Sequence, residues 1–445
     1  MHLAKNFPND RKLILQSTFL IINVLIWYFS ASKLLETTIN SVATGFLQTE
    51  IWAIHFSAVM ISLVAGSLLV KKIQIKSFLA IWVALGIISP LFLLSLNFAE
   101  IPITMLVAVL FGISLGLGIP SCMNNFIKLT EIKVRGRYSG LIIFLTCVGT
   151  VLLALINSGG ILVTVLILVV WRLFGLAALP FQKFATENSE KPKTTEVSFS
   201  GILKQRSFIL YLIPWLMFCL VNYLSIPVQD TVLGANQINI LQTMEGAIIG
   251  VFAVASGFLI DYLGRKRVAI AGFVLIGVGY SVLGLYPKDM ASWYFYTVAD
   301  GLAWGIFYVM FVVLIWGDLS NDSKSEKYYA IGVLPFFISK FLELSLSNYV
   351  ASSVSPYALF SFTGFFLFLA VLPLVYAPET LSEKTLKDRD LKSYAEKALK
   401  QAKKEADKKN IIRAEKVELG GKENDGETEK PPGYDKASKL AEKYY

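Results

Sequence analysis

The residues of this sequence with chemistry to do are the ionisable ones set inside long apolar runs. Asp300 lies between Val298-Ala299 and Gly301-Leu302, and Lys340 and Glu343 interrupt Phe336-Phe337-Ile338 and Leu344. A charge at bilayer depth costs about 2.5–3.5 kcal/mol on insertion scales, so it needs a partner or a task such as carrying a proton or meeting a charged solute. Lys340 and Glu343 are three apart and pair on one helix face. Asp300, on the preceding run, is expected at similar mid-depth, where it can join them in a coupling or substrate site or in a static charge network. Lys33 and Glu36, Asp230 and Glu245 fall near run ends, where they either sit at the interface or join the site, Lys33 standing with Asp300, Lys340 and Glu343 as a coupling or substrate candidate. Lys33 snorkels to one interface and Arg172 to the other on this reading.

Other chemistries lack their residues. The chain has only two histidines, His2 and His55, and its three cysteines, Cys122, Cys147 and Cys219, all sit in apolar runs. That excludes a disulfide framework and a Cys/His zinc site. No nucleophile–base constellation, nucleotide-binding loop or Walker sequence is present. The reading is therefore not an enzyme, with no cofactor and no metal.

The elements that must position these side chains are apolar runs near 20 residues, each long enough to cross a hydrocarbon core of about 30 Å. Twelve are read: Leu13–Leu35, Ile51–Val70, Phe78–Leu96, Ile101–Ile127, Tyr138–Ile156, Ile161–Leu179, Phe208–Val228, Ile238–Leu263, Val268–Leu285, Trp293–Trp316, Tyr329–Val350 and Tyr357–Tyr376. The connections alternate in charge. One set carries Lys71, Lys72 and Lys76, then Lys128, Lys133, Arg135 and Arg137, then Lys183 to Arg206, then Arg265 to Arg267, then Lys324 and Lys327. The other carries Glu36, Glu50, Glu100 and Asp289, with Lys288 as its one clear cation. The bias never changes phase, so both termini are expected in the cytoplasm of a plasma-membrane protein. It also accounts for the net charge of +9 without a nucleic-acid partner.

One connection is distinctive: Gly257-Phe-Leu-Ile-Asp261-Tyr-Leu-Gly264-Arg265-Lys266-Arg267. Gly257 lets a helix approach closely, and Gly264 permits a positive φ. Asp261 suits a helix N-terminus, where free N–H groups favour an anion. The stretch resembles the G-x-x-x-D-x-x-G-R-[KR]-[KR] signature loop of the major facilitator superfamily. The resemblance covers about Arg11 to Thr380. It implies a secondary transporter working by alternating access, with helices 1, 4, 7 and 10 around a central cavity. Asn23, Asn222, Tyr223, Trp304 and Tyr308 become expected lining residues, with Asn124 and Asn125 nearer the cytoplasmic mouth. It also implies a conformational latch of Gly257, Asp261, Gly264, Arg265, Lys266 and Asp318. In that latch Asp261 faces the start of the fifth run, and Arg265 pairs with Asp318. Glu131-Ile-Lys-Val-Arg135-Gly136-Arg137 and Pro378-Glu379-Thr380 are similar to sugar-porter motifs. The paired glutamines of those porters are absent from the seventh run, so no sugar is assigned.

An internal repeat divides the runs six and six. Phe111-Gly112 to Gly116 matches Asp300-Gly301 to Gly305, and Ala65-Gly66 to Lys71 matches Ser256-Gly257 to Tyr262, with Val70 in the aspartate position. The fold class expected is an all-α membrane protein with two parallel six-helix halves. Residues 1–180 and 208–378 are the halves, 181–207 a cytoplasmic linker and 379–445 a charged tail with a helical and a disordered part. The partners expected are a small solute and the lipid bilayer, the protein acting as a monomer and coupling to protons. The alternative function is a sensor or scaffold of the same fold acting through its tail.

Overall fold

Backbone polar groups in a bilayer must be satisfied within their own segment, which makes a lone apolar run helical. The computed structural model describes residues 7–70, 72–94, 100–156, 160–182, 197–320 and 325–381, together with 391, 400, 401 and 404, and no strand occurs among them. Among the described residues, twelve helical spans are long and apolar enough to cross a membrane. In order they are Thr18–Val42, Phe46–Leu69, Ile75–Leu94, Ile101–Leu129, Arg135–Ala154, Gly160–Phe181, Arg206–Val232, Asn236–Leu263, Arg265–Leu285, Met290–Asp318, Glu326–Ser347 and Pro356–Tyr376. They are called spans 1 to 12 below.

Residues up to Thr380 form one compact unit, and a second begins at Leu381. Most of the tail, including the stretches expected to be helical and disordered, lies outside the described residues. Within the first unit, spans 1–6 and 7–12 are the two halves. Their seams are span 5 against span 8 and span 2 against span 11. The repeat is visible in the packing. Ser62 Oγ of span 2 donates to Gly112 O of span 4 at 3.2 Å, and Ser256 Oγ of span 8 donates to Gly305 O of span 10 at 3.0 Å. A Cβ on Gly112 would lie 2.7 Å from His55 O, and one on Gly301 2.8 Å from Ile248, so both glycines exist for close helix approach.

Spans 4 and 10 are irregular at corresponding places. Span 4 breaks after Gly116 and restarts at Ile119 with Pro120 in its first turn, where no N–H is needed. Gly118 at the break leaves room for the Trp82 ring. Span 10 winds as a π-helix over Tyr308–Leu314. Such bulges often mark functional sites.

Two boundaries differ from the sequence reading. The first helix runs Phe7–Val42, seven residues beyond Leu35. Lys33 and Glu36 lie within it and pair at 3.2 Å across one turn. The linker holds a short helix, Phe199–Leu203, capped by Ser198 Oγ, which accepts from Gly201 N at 3.0 Å. Lys327 Nζ donates to Val197 O at 2.9 Å and Tyr328 to Gln205 at 2.9 Å, tying the linker's end to the start of span 11.

Candidate functional site

At the end of the bundle that carries Lys72, Arg137 and Arg267, here called the basic end, the halves are joined by hydrogen bonds and an ion pair. Gly264 turns the chain with φ 99°. Asp261, one turn before it, accepts from Gly136 N at 2.8 Å and Arg137 N at 3.0 Å, the first N–H groups of span 5. Arg265 Nε donates to Asp318 Oδ2 at 3.0 Å and its Nη2 to Ile132 O of the other half at 2.5 Å. Arg135 Nη1 also donates to Asp318, through Oδ1. Glu379 receives the backbone N–H groups of Arg265 at 2.9 Å and Lys266 at 3.1 Å, capping span 9. A Cβ on Gly264 would lie 2.6 Å from Glu379 Oε2, so that position requires glycine for space as well as for φ. Lys266 Nζ reaches Val375 O at 2.5 Å within its own half. Beside them, Asn124 Nδ2 of span 4 donates to Glu326 Oε1 of span 11 at 2.6 Å, and Asn124 Oδ1 accepts from Ser325 Oγ at 2.9 Å.

Three short motifs far apart in sequence thus converge: the Gly257–Arg267 loop, the Arg135 stretch and Pro378-Glu379-Thr380, whose Thr380 Oγ1 reaches Asp318 Oδ2 at 3.4 Å. The expected latch joins the first two through Asp261 and the start of the fifth run, but not Pro378-Glu379-Thr380. The sequence reading also missed Glu326, which nothing near it in sequence distinguishes.

Between the halves lies a cavity of about 650 Å³. Spans 1, 4, 5, 7, 8, 10 and 11 supply its wall, including Phe29, Ile119, Trp215, Phe336 and Phe337. Of the five expected lining residues, only Tyr308 is on this wall. Asn23 instead donates to Trp171 O at 2.7 Å, and its Oδ1 accepts from Arg172 at 3.1 Å. Asn222 faces into its own half, Nδ2 donating to Tyr280 at 3.1 Å and Asp300 Oδ1 at 3.5 Å. Trp304 is buried and stacks on Tyr308, ring centroids 4.7 Å apart. Tyr223 packs against Trp304 and Phe336.

The ionisable residues form separate groups rather than one network. Asp300 Oδ2 accepts from Tyr296 at 3.0 Å, and Tyr296, Tyr280, Ser225 and Gln229 continue the hydrogen bonds. Glu245 is close enough to act on Asp300 electrostatically, which corrects its interfacial placement. Lys340 does not reach this cluster. It pairs with Glu343 at 2.8 Å, lies 5.5 Å from the Tyr223 ring, and shares its surroundings with Asp230 and Glu36. Lys33 pairs with Glu36 and is exposed. Arg172 overturns the snorkelling expectation. It is fully buried between two tryptophans, its guanidinium 4.9 Å from the Trp27 ring and 4.7 Å from Trp82, and it donates to Ser114 O at 3.3 Å. A cation held by ring faces needs no carboxylate, so charge counting could not have found it.

The twelve-span bundle thus holds a cavity between two six-helix halves. Residues 207–412 match the family model described as Major Facilitator Superfamily. Among solved structures, the chain is similar to the proton:xylose symporter XylE bound to 6-bromo-6-deoxy-D-glucose, at 16% identity and TM-score 0.66, over 83% of this chain and 97% of that one. It is similar to the E. coli fucose:proton symporter FucP at 12% identity and TM-score 0.66, over 82% and 98%. The human organic anion transporter MFSD10 gives 12% identity and TM-score 0.62, over 82% and 100%. No curated protein matches the sequence. The chain is a multi-pass membrane protein whose residues 207–412 match the family model and whose fold is that of these transporters.

Proposed function

We propose that the protein is a proton-coupled secondary transporter of a small solute, working by alternating access, with its basic end in the cytoplasm of a plasma-membrane protein. The observation that carries this reading is the cavity between the halves, closed at the basic end by Asp261 on span 5, Arg135 on Asp318 and Asn124 on Glu326. These contacts join the two halves and are lost when that end opens, as a rocking mechanism requires. Gly257, Asp261, Gly264, Arg265, Lys266 and Asp318 act as the latch, with Arg135 as its partner from the other half.

Asp300 with Glu245 carries the proton. Asp300 is buried and hydrogen-bonded and half-buried Glu245 lies near enough to act on it, and like charges so placed favour a single proton between them over two ionised groups. Asn222, Tyr280 and Tyr296 hold the carboxyl in place whichever form it takes. The uptake assay with and without a proton gradient, in proteoliposomes of the full chain, tests this. Asp300→Asn and Glu245→Gln are expected to fold, to keep exchange of solute, and to lose accumulation driven by the gradient. Undiminished accumulation in Asp300→Asn would return that residue to a purely structural role.

A further inference from the structure

We infer that the transported solute is an uncharged organic molecule with an aromatic or alicyclic body and few polar groups, rather than a sugar or a charged metabolite. The inference deepens the transporter reading and rests on it. The cavity, about 650 Å³, has the size of a small-molecule site. None of the side chains on its wall is Asp, Glu, Lys, Arg or His. The buried charged groups face elsewhere: Arg172 between its tryptophans, Asp300 into the Tyr280–Tyr296 cluster. A charged solute would give up water and meet no counter-charge.

The hydroxyls on the wall are also turned away. Thr146 donates to Ile142 O at 2.8 Å, Thr150 to Thr146 O at 2.9 Å and Thr243 to Asn239 O at 2.7 Å, each back into its own helix. A sugar brings several hydroxyls, and each one buried without a partner costs about 1–3 kcal/mol. The Gln242 amide and the Tyr28 and Tyr308 hydroxyls can serve only a few polar groups. The wall offers ring edges and faces instead. Tyr28 meets Phe337 edge-on at 6.1 Å and Phe337 meets Phe336 at 5.3 Å, a geometry that accepts another ring.

Val151 of span 5 adds an exposed apolar side chain to the wall. Gly246 of span 8 also lines the cavity, and a Cβ there would meet nothing within 4 Å, which leaves room for a ring beside it.

Cys147 supplies the test, because it is half-buried on the cavity wall while Cys122 and Cys219 are 4% and 0% exposed. Full-length protein in nanodiscs is alkylated with N-ethylmaleimide, and modification of Cys147 is followed by mass spectrometry. Indole, cyclohexanol and 1-naphthol are the uncharged probes; 1-naphthoate, xylose and fucose are the comparators. At saturation, at least one uncharged probe is expected to slow labelling about ten-fold by filling the cavity, the comparators leave it unchanged, and Phe336→Ala weakens the protection. A Phe46→Cys reporter, at a side chain 84% exposed and off the cavity, should label at an unchanged rate. Stronger protection by 1-naphthoate or by either sugar overturns the inference. So does protection by none of the uncharged probes, or equal slowing at the Phe46 reporter. Uptake in proteoliposomes separates the two readings. Protection with no probe carried across sinks the transport reading and leaves the site. Sugar uptake with sugar protection sinks the solute class and leaves the transporter.

Discussion

Arg135 and Asp318 form a buried ion pair across the two halves: Nη1 of the arginine, in the first half, donates to Oδ1 of the aspartate, in the second. The other oxygen of Asp318 takes Nε of Arg265, and its side chain is out of solvent. One carboxylate therefore binds two guanidinium groups, and Arg265 also has Asp261 Oδ1 at 3.6 Å, so only Arg135 must leave the carboxylate when the basic end opens. Removing one partner of a buried pair costs about 3–5 kcal/mol.

That cost falls on the closed basic end, because Arg135 regains water when the halves part. Asp318→Asn is expected to move most of the population to the form open at the basic end. Asp261→Asn should move it less, since an anion at a helix N-terminus is worth about 0.3–1 kcal/mol, rising to about 2 when partly buried. Spin-label distances between Lys72→Cys and Arg267→Cys, both exposed and on opposite halves, report the opening. A folded Asp318→Asn protein with an unchanged distance distribution would mean the pair is not a latch.

Gly257→Val should hold the basic end open by volume alone. A Cβ there would lie 2.5 Å from Gly136 O and 3.1 Å from Arg137 Cα, both backbone atoms that cannot turn aside. Ser121, fully buried in span 4, gives the readout. A Ser121→Cys reporter should react with a water-soluble maleimide many-fold faster when Gly257→Val is added. Equal rates would show that the halves close without this contact.

Arg172→Lys is expected to lower the melting temperature even though the charge is kept. An ammonium cannot lie flat between two indole rings while bonding both Asn23 and Ser114. The loss combines a desolvated cation–π contact of about 2 kcal/mol or more with hydrogen bonds to a charged group of about 1.5–3 kcal/mol each. Arg172→Met, which removes the charge and keeps the length, should be the milder change. Thermal unfolding in detergent compares them, and a Lys variant as stable as the parent would remove the ring sandwich from the account.

Sidedness has a direct check. A Lys72→Cys variant should label with an impermeant reagent only from the cytoplasm, and Lys288→Cys only from outside. Both sites are exposed. Labelling of both from one side would break the alternation of the twelve spans.

Much of this molecule is written in local sequence. Apolar runs of bilayer length had to become helices because nothing else satisfies their backbone there. The turn at Gly264 and the anion one helical turn before it are local features, readable from the spacing of Gly257, Asp261 and Gly264. The pairing of Lys340 with Glu343 needs only helical periodicity.

What a helix presents to its neighbours was settled by the tertiary structure. In a soluble helix the buried face is the apolar one. In a bilayer the lipid-facing side is equally apolar, so hydropathy does not say which way a side chain looks. Hence Asn222 was expected on the cavity and lies against Asp300, 78 positions away. Arg172 was expected at an interface and lies between Trp27 and Trp82. Glu379 caps span 9 from 114 positions beyond Arg265. These partners are chosen by the packing of one helix on another, and that packing depends on the shapes of both surfaces at once.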